Sequence, residues 1–100
     1  SGTAKVTAAP AVLYSKDANS LAILQFTSPD GTLNTLHSVE LKDAKQRANY
    51  TILDFGNGQF ALVPQPGAAL KSGNVALILF FTGNTTGKPN ATVNVKVEIR

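Results

Sequence analysis

The side chains able to do chemistry are few and scattered. The 100-residue chain has one histidine, His37, and no cysteine. A thiolate nucleophile, a disulfide framework and a cysteine-ligated zinc are therefore excluded. A catalytic triad or a metal centre would have to combine His37 with carboxylates only. The carboxylates are Asp17, Asp30, Glu40, Asp43, Asp54 and Glu98, and no pair of them stands at a motif spacing. A glycosidase needs two carboxyls about 5–10 Å apart beside a cleft, and a domain this small has little room for a deep one. His37 alternates with Val39 and Leu41, so a partly buried structural histidine is the expected role. The chain reads as a non-enzyme.

Binding chemistry has somewhat more to work with. Sugar rings stack on exposed aromatic faces, and the chain has no Trp, two Tyr and five Phe. Tyr14 and Tyr50 are the best candidates for exposure. Phe26, Phe55, Phe60, Phe80 and Phe81 are expected in the core. The basic residues are spread along the chain, and only Lys42, Lys45 and Arg47 cluster, with Asp43 among them. That falls short of the dense basic stripe of a nucleic-acid binder, even with a net charge of +3. Tyr14, Tyr50, Lys42, Lys45 and Arg47 are thus the candidate ligand or partner contacts.

Asp17-Ala18-Asn19 and Asp54-Phe55-Gly56-Asn57-Gly58 offer oxygen ligands to calcium, but neither follows the EF-hand pattern. Turn chemistry is the expected role, and no cofactor is expected. A Lys–Asn isopeptide crosslink could draw on Lys5 or Lys96, Asn90 or Asn94, and Glu40, although solvated side chains are the plainer reading. Three sequons, at Asn49, Asn84 and Asn90, matter only in a eukaryotic source.

The elements that must carry these residues are strands. The dominant pattern is alternation with period two, broken by turn residues. From Ala91 to Arg100, Ala91, Val93, Val95, Val97 and Ile99 share one face, opposite Thr92, Asn94, Lys96, Glu98 and Arg100. Val75 to Thr82 is apolar on both faces, which predicts a central strand covered on its second side by a loop or a neighbouring module. Ser20 to Thr27 presents Ala22, Leu24 and Phe26 to the core and ends at the turn Ser28-Pro29-Asp30-Gly31. His37 to Leu41, Tyr50 to Leu53, and Phe60 with Leu62 give three more strands. Asp54 to Gly58 forms a hairpin turn between the last two. Val6 and Val12 to Tyr14 form an edge strand broken by Pro10. Helical character is confined to Lys42–Ala48 and Gly67–Lys71. About seven strands with these turn signals predict an all-β, immunoglobulin-like antiparallel sandwich. Residues 1–100 make one module of a larger protein, with 1–4 a flexible end. No apolar run approaches the ~20 residues of a membrane-spanning helix.

The order of features resembles the X-module family, the immunoglobulin-like accessory modules of bacterial cellulosomal scaffoldins and multidomain cellulases. Pro10, Tyr14, Lys16 and Asp17 match its opening. Leu21 to Phe26 and Asp30-Gly31 match its extended strand and glycine turn. Asn49-Tyr50-Thr51-Ile52 stands where the family has an Asp-Tyr-Thr-Val-like strand. Phe60-Ala61-Leu62, the Leu70-Lys71-Ser72-Gly73 corner, Val75 to Phe81 and Ala91 to Ile99 complete the match. The same strand order suits fibronectin type III-like and other bacterial immunoglobulin-like modules. The resemblance implies a non-catalytic accessory or spacer module of a secreted or cell-surface bacterial protein, near polysaccharide or in surface assembly. Its expected partners are neighbouring domains of the same chain, with polysaccharide or another surface protein as further possibilities. A carbohydrate-binding module and a protein-binding adhesin or surface-layer repeat are the alternatives.

Overall fold

The computed structural model describes residues 5–29 and 36–100. The expected flexible end at 1–4, and the Asp30-Gly31 part of the first turn, lie outside them.

Among the described residues, nine strand segments and one short helix follow the seven expected strands, two of which are broken. They are β1 (Thr7–Ala8), β2 (Ala11–Leu13), β3 (Ala22–Ile23), β4 (Phe26–Thr27), β5 (Leu36–Leu41), α1 (Ala44–Asn49), β6 (Tyr50–Gly56), β7 (Gln59–Pro64), β8 (Gly73–Phe81) and β9 (Ala91–Ile99). One layer has the order β2-β9-β8-β5. The other is built from β3-β7-β6 and the β1-β4 pair. They make the two layers of an immunoglobulin-like β-sandwich.

The breaks have local causes. Pro10 has no N–H to give a ladder, and the chain changes partners there. Before it, β1 pairs antiparallel with β4. After it, β2 pairs with β9 in parallel, Ala11 beside Val97 and Leu13 beside Ile99. This is the one departure from an all-antiparallel sheet among the described residues. The segment 22–27 is divided likewise, serving β7 at its start and β1 at its end.

The longest ladder is β8–β9, running from Gly73 opposite Val97 to Leu79 opposite Ala91. Val75, Leu77 and Leu79 on β8, and Ala91, Val93, Val95 and Val97 on β9, are buried in one core with Leu13, Leu62 and Phe60. The loop joining the two strands is organised by amides. Asn90 Oδ1 accepts from the Phe81 N–H at 2.8 Å, which extends the ladder by a side chain. Asn84 donates to Lys88 O and Asn90 Oδ1, both at 2.7 Å, and its own Oδ1 accepts from Thr86 N–H at 3.0 Å. Asn57 and Gly58, both at positive φ, meet the requirement of a type I′ hairpin turn between β6 and β7.

Helix α1 overlaps the first expected helical stretch, starting two residues later and ending one residue beyond it. The second, at Gly67–Lys71, is a turn followed by irregular chain. Gly67 sits at φ +77°, outside the helical range.

Leu77 is fully buried and Leu53 is 40% exposed. Leu77→Ala should therefore cost about 2–5 kcal/mol, and Leu53→Ala less than about 1 kcal/mol. Urea denaturation of both variants against the parent checks this contrast.

Candidate functional site

Among the described residues, the polar side chains singled out by the sequence do not gather in one place. His37 is exposed, which corrects the expectation of partial burial. The register slips between Leu36 and Ser38. That bulge lets Leu36 pack on the core in its place. His37 borders a hollow of ≈ 270 Å³ with Phe80, Phe81, Thr82, Gly83, Asn84 and Gly87. None of these is a carboxylate that could orient the imidazole as a base. Among the described residues, no three His, Asp or Glu side chains gather as metal ligands.

The acidic loops use their oxygens locally. Asp17 Oδ1 accepts from the Asn19 N–H at 2.9 Å, and Asp54 Oδ1 from the Gly56 N–H at 2.8 Å. Both are the side-chain-to-backbone bonds of Asx turns. Glu40, Asn94 and Lys96 are exposed, with none of the burial that would set up a crosslink. The amides of Asn84 and Asn90 are held in the loop network, and Asn49 donates to Gln46 at 3.4 Å.

Two of the candidate contacts, Tyr50 and Arg47, line one groove, and Tyr14 stands apart from them. Tyr50 is 3% exposed, so it belongs to the core rather than to a sugar platform. It starts β6, where alternation turns it inward with Ile52. Tyr14 is 51% exposed and stands beside Arg100, whose guanidinium also pairs with Glu98. Lys42 and Lys45 are exposed. The Arg47 head reaches back to Leu41 O at 2.9 Å and Lys42 O at 3.4 Å, tying α1 to the end of β5. It stands at a groove of ≈ 350 Å³ between β5 and β6, floored by Val39, Leu41, Tyr50 and Ile52. The basic cluster therefore contains one structural member and two solvated ones.

A feature that sequence reasoning missed is the outer face of β3-β7-β6. Ile23 stands opposite Ala61, and Ala61 opposite Leu53. Ala22, Leu62 and Ile52, in the next row, point inward. Strand alternation then sends Leu21, Ile23, Leu53, Phe55, Ala61 and Val63 outward. Leu21, Ile23, Leu53 and Phe55 are 43, 48, 40 and 48% exposed. Ala61 is wholly buried because its larger neighbours flank it. Phe55, expected in the core, stands at the bulge before the hairpin and faces out. Thr51 and Gln59 complete the face, which carries no charge. The signal was present in the sequence: Leu21/Ile23, Leu53/Phe55 and Ala61/Val63 each repeat at period two, out of phase with the core residues.

The expected second apolar face of β8 is also there. Ala76, Ile78 and Phe80 are half-buried. They lie between Ser38 and Glu40 on one side and Thr92 and Asn94 on the other.

No family model matches the chain, and no curated protein matches it. Among solved structures it is similar to the human Desmocollin-1 ectodomain, with a TM-score of 0.66 and 14% identity. The match covers 98% of this chain and 17% of that one, so this chain spans about a sixth of its neighbour's length. At that identity the likeness shows the fold, an immunoglobulin-like β-sandwich module. No helix among the described residues is long and apolar enough to cross a membrane.

Burial raises the Tyr50 pKa above its ordinary value of 10.0. The unfolded chain then loses this proton first. The contribution is intact below pH 10 and is lost as pH rises through the folded value. An alkaline titration of tyrosinate absorbance should contain a late component that Tyr50→Phe removes and that urea moves to lower pH.

Proposed function

We propose that the chain is a non-catalytic spacer module of an extracellular multidomain protein, of the X-module kind, which holds neighbouring domains apart along its long axis. The observation that carries this reading is the parallel pairing of β2 with β9. An antiparallel first strand would return the chain start to the neighbourhood of its end. The parallel one brings Lys5 in near the start of β9 and takes Arg100 out beyond its end. The molecule is 42 Å long and only 24 × 23 Å across. The described chain therefore enters beside the start of β9 and leaves beyond its end, roughly 30 Å away at about 3.3 Å per residue, as a spacer requires. The exit end is braced: Ser15 N–H donates to Arg100 O, and Arg100 N–H to Leu13 O, both at 2.8 Å. Pulling on the two ends loads these bonds and the β2–β9 ladder together.

An extracellular setting fits the absence of cysteine and the low charge content of 15%. The Desmocollin-1 ectodomain contributes the fold to this reading and nothing about partners. The glycan-binding alternative loses one of its two tyrosines to the core. A platform of Tyr14 by itself is a weak one.

Because the chain has no native cysteine, spin labels at Lys5→Cys and Arg100→Cys report its span directly. Pulsed electron resonance should give one narrow distance distribution centred at roughly 30 Å, the nine residues between those levels of the β2–β9 register at about 3.3 Å each, unchanged by soluble glucans. A broad or short distribution would overturn the spacer reading. So would glucan affinity electrophoresis in which the chain is retarded and Tyr14→Ala releases it.

A further inference from the structure

We propose that the outer face of β3-β7-β6 pairs with the same face of a second copy of this chain, forming a weak two-fold dimer. The inference goes beyond the spacer reading: it concerns the side of the module rather than its ends, and it stands on different residues.

Three observations select a second copy as the occupant. The first is charge. Leu21, Ile23, Leu53, Phe55, Ala61 and Val63, with Thr51 and Gln59 beside them, are all uncharged. Two identical faces can meet only if no charge opposes its own sign, and here none does. The other layer fails that condition, because its outer face exposes Glu40, Lys96 and Glu98.

The second is shape. In the row Ile23–Ala61–Leu53 the middle residue is small and fully buried. Ile23 and Leu53 close over it as two ridges, leaving no open groove between them. A two-fold axis over this row sets the ridge of each copy beside the ridge of the other. Sheets packed face to face stand about 10 Å apart, which leaves room for interdigitated Leu, Ile and Phe side chains.

The third is area. Four large side chains exposed by 40 to 48% present on the order of 300 Å² of apolar surface. With Val63, Thr51, Gln59 and the strand backbone, each copy would bury on the order of 500 Å², and the pair about 1,000 Å², the lower bound for a specific interface. An apolar patch of this extent on an isolated module is itself a mark of an interaction site. The area is enough for a reversible dimer, not an obligate one. Nothing on β6 or β3 guards against the contact, since neither strand places a charged side chain on this face.

Sedimentation velocity across a concentration series tests the proposal. The parent chain should convert from monomer to dimer with a midpoint below about 1 mM, as a weak, reversible pair near the lower size limit does. Leu53→Lys places two like charges in the pair and should weaken it by about 100-fold or more. Ile23→Lys should do the same from the other ridge. Thr92→Lys, on the outer face of the other layer, should leave the midpoint unchanged. Circular dichroism and melting curves establish that each variant is folded, and either folded ridge variant is sufficient for the test. A chain that stays monomeric up to about 1 mM overturns the proposal, as does a dimer indifferent to both ridge substitutions. Neither result bears on the span measured between residues 5 and 100, so failure of the dimer and failure of the spacer reading are separable.

Discussion

The closure of one dry core between the two layers is the constraint on which the other features depend. Leu62 from one layer and Leu77, Leu79, Val95 and Val97 from the other are essentially without solvent exposure. Burial of such side chains contributes about 1.5–3 kcal/mol each. An exposed pair such as Arg100 with Glu98 is screened by solvent and contributes little beside that, and the amide network of the 82–90 loop follows the β8–β9 ladder rather than creating it. The strand breaks at Pro10 and near Leu24 follow from the same requirement. Each lets a short segment change partners while Ala11, Leu13, Ala22 and Leu24 stay inside.

Much of this was legible in the sequence because period-two alternation reports burial directly. The inward residues of β9, the core face of 22–27, the central position of β8, the edge strand at Pro10 and the Asp54–Gly58 hairpin all follow from it. What failed has physical causes. His37 was placed inward by simple alternation, and a bulge absorbs one residue without any mark in composition. Tyr50 was named with Tyr14 as a candidate for exposure, but its position at the start of β6 puts it in phase with Ile52. Gly67–Lys71 has residues compatible with a helical turn, but the chain there is a turn followed by irregular structure, with Gly67 at positive φ.

The apolar face of β3-β7-β6 was the most consequential omission. Apolar residues on both faces of a strand were given weight in β8, where seven stand in a row. In β3, β6 and β7 the same doubling is split among three short strands and shows only when the registers are aligned. Ala61 opposite both Ile23 and Leu53 is a relation of pairing, which no single strand contains. The candidate contacts chosen by residue type were polar or aromatic. The strongest surface feature is aliphatic apart from Phe55.

Two properties of the module then point in different directions in space. Its ends lie along the axis of β9, and its uncharged face lies to the side. A body of this kind can hold neighbours apart lengthwise while pairing laterally. The most direct measurement is the solvent accessibility of individual methyl and ring groups, read by nuclear magnetic resonance with a soluble paramagnetic agent as the protein is concentrated. Self-pairing predicts that Leu21, Ile23, Leu53 and Phe55 become shielded as concentration rises, while Ile78 and Phe80 on the opposite layer keep their accessibility. Unchanged accessibility on β3 and β6, or shielding confined to Ile78 and Phe80, would contradict it.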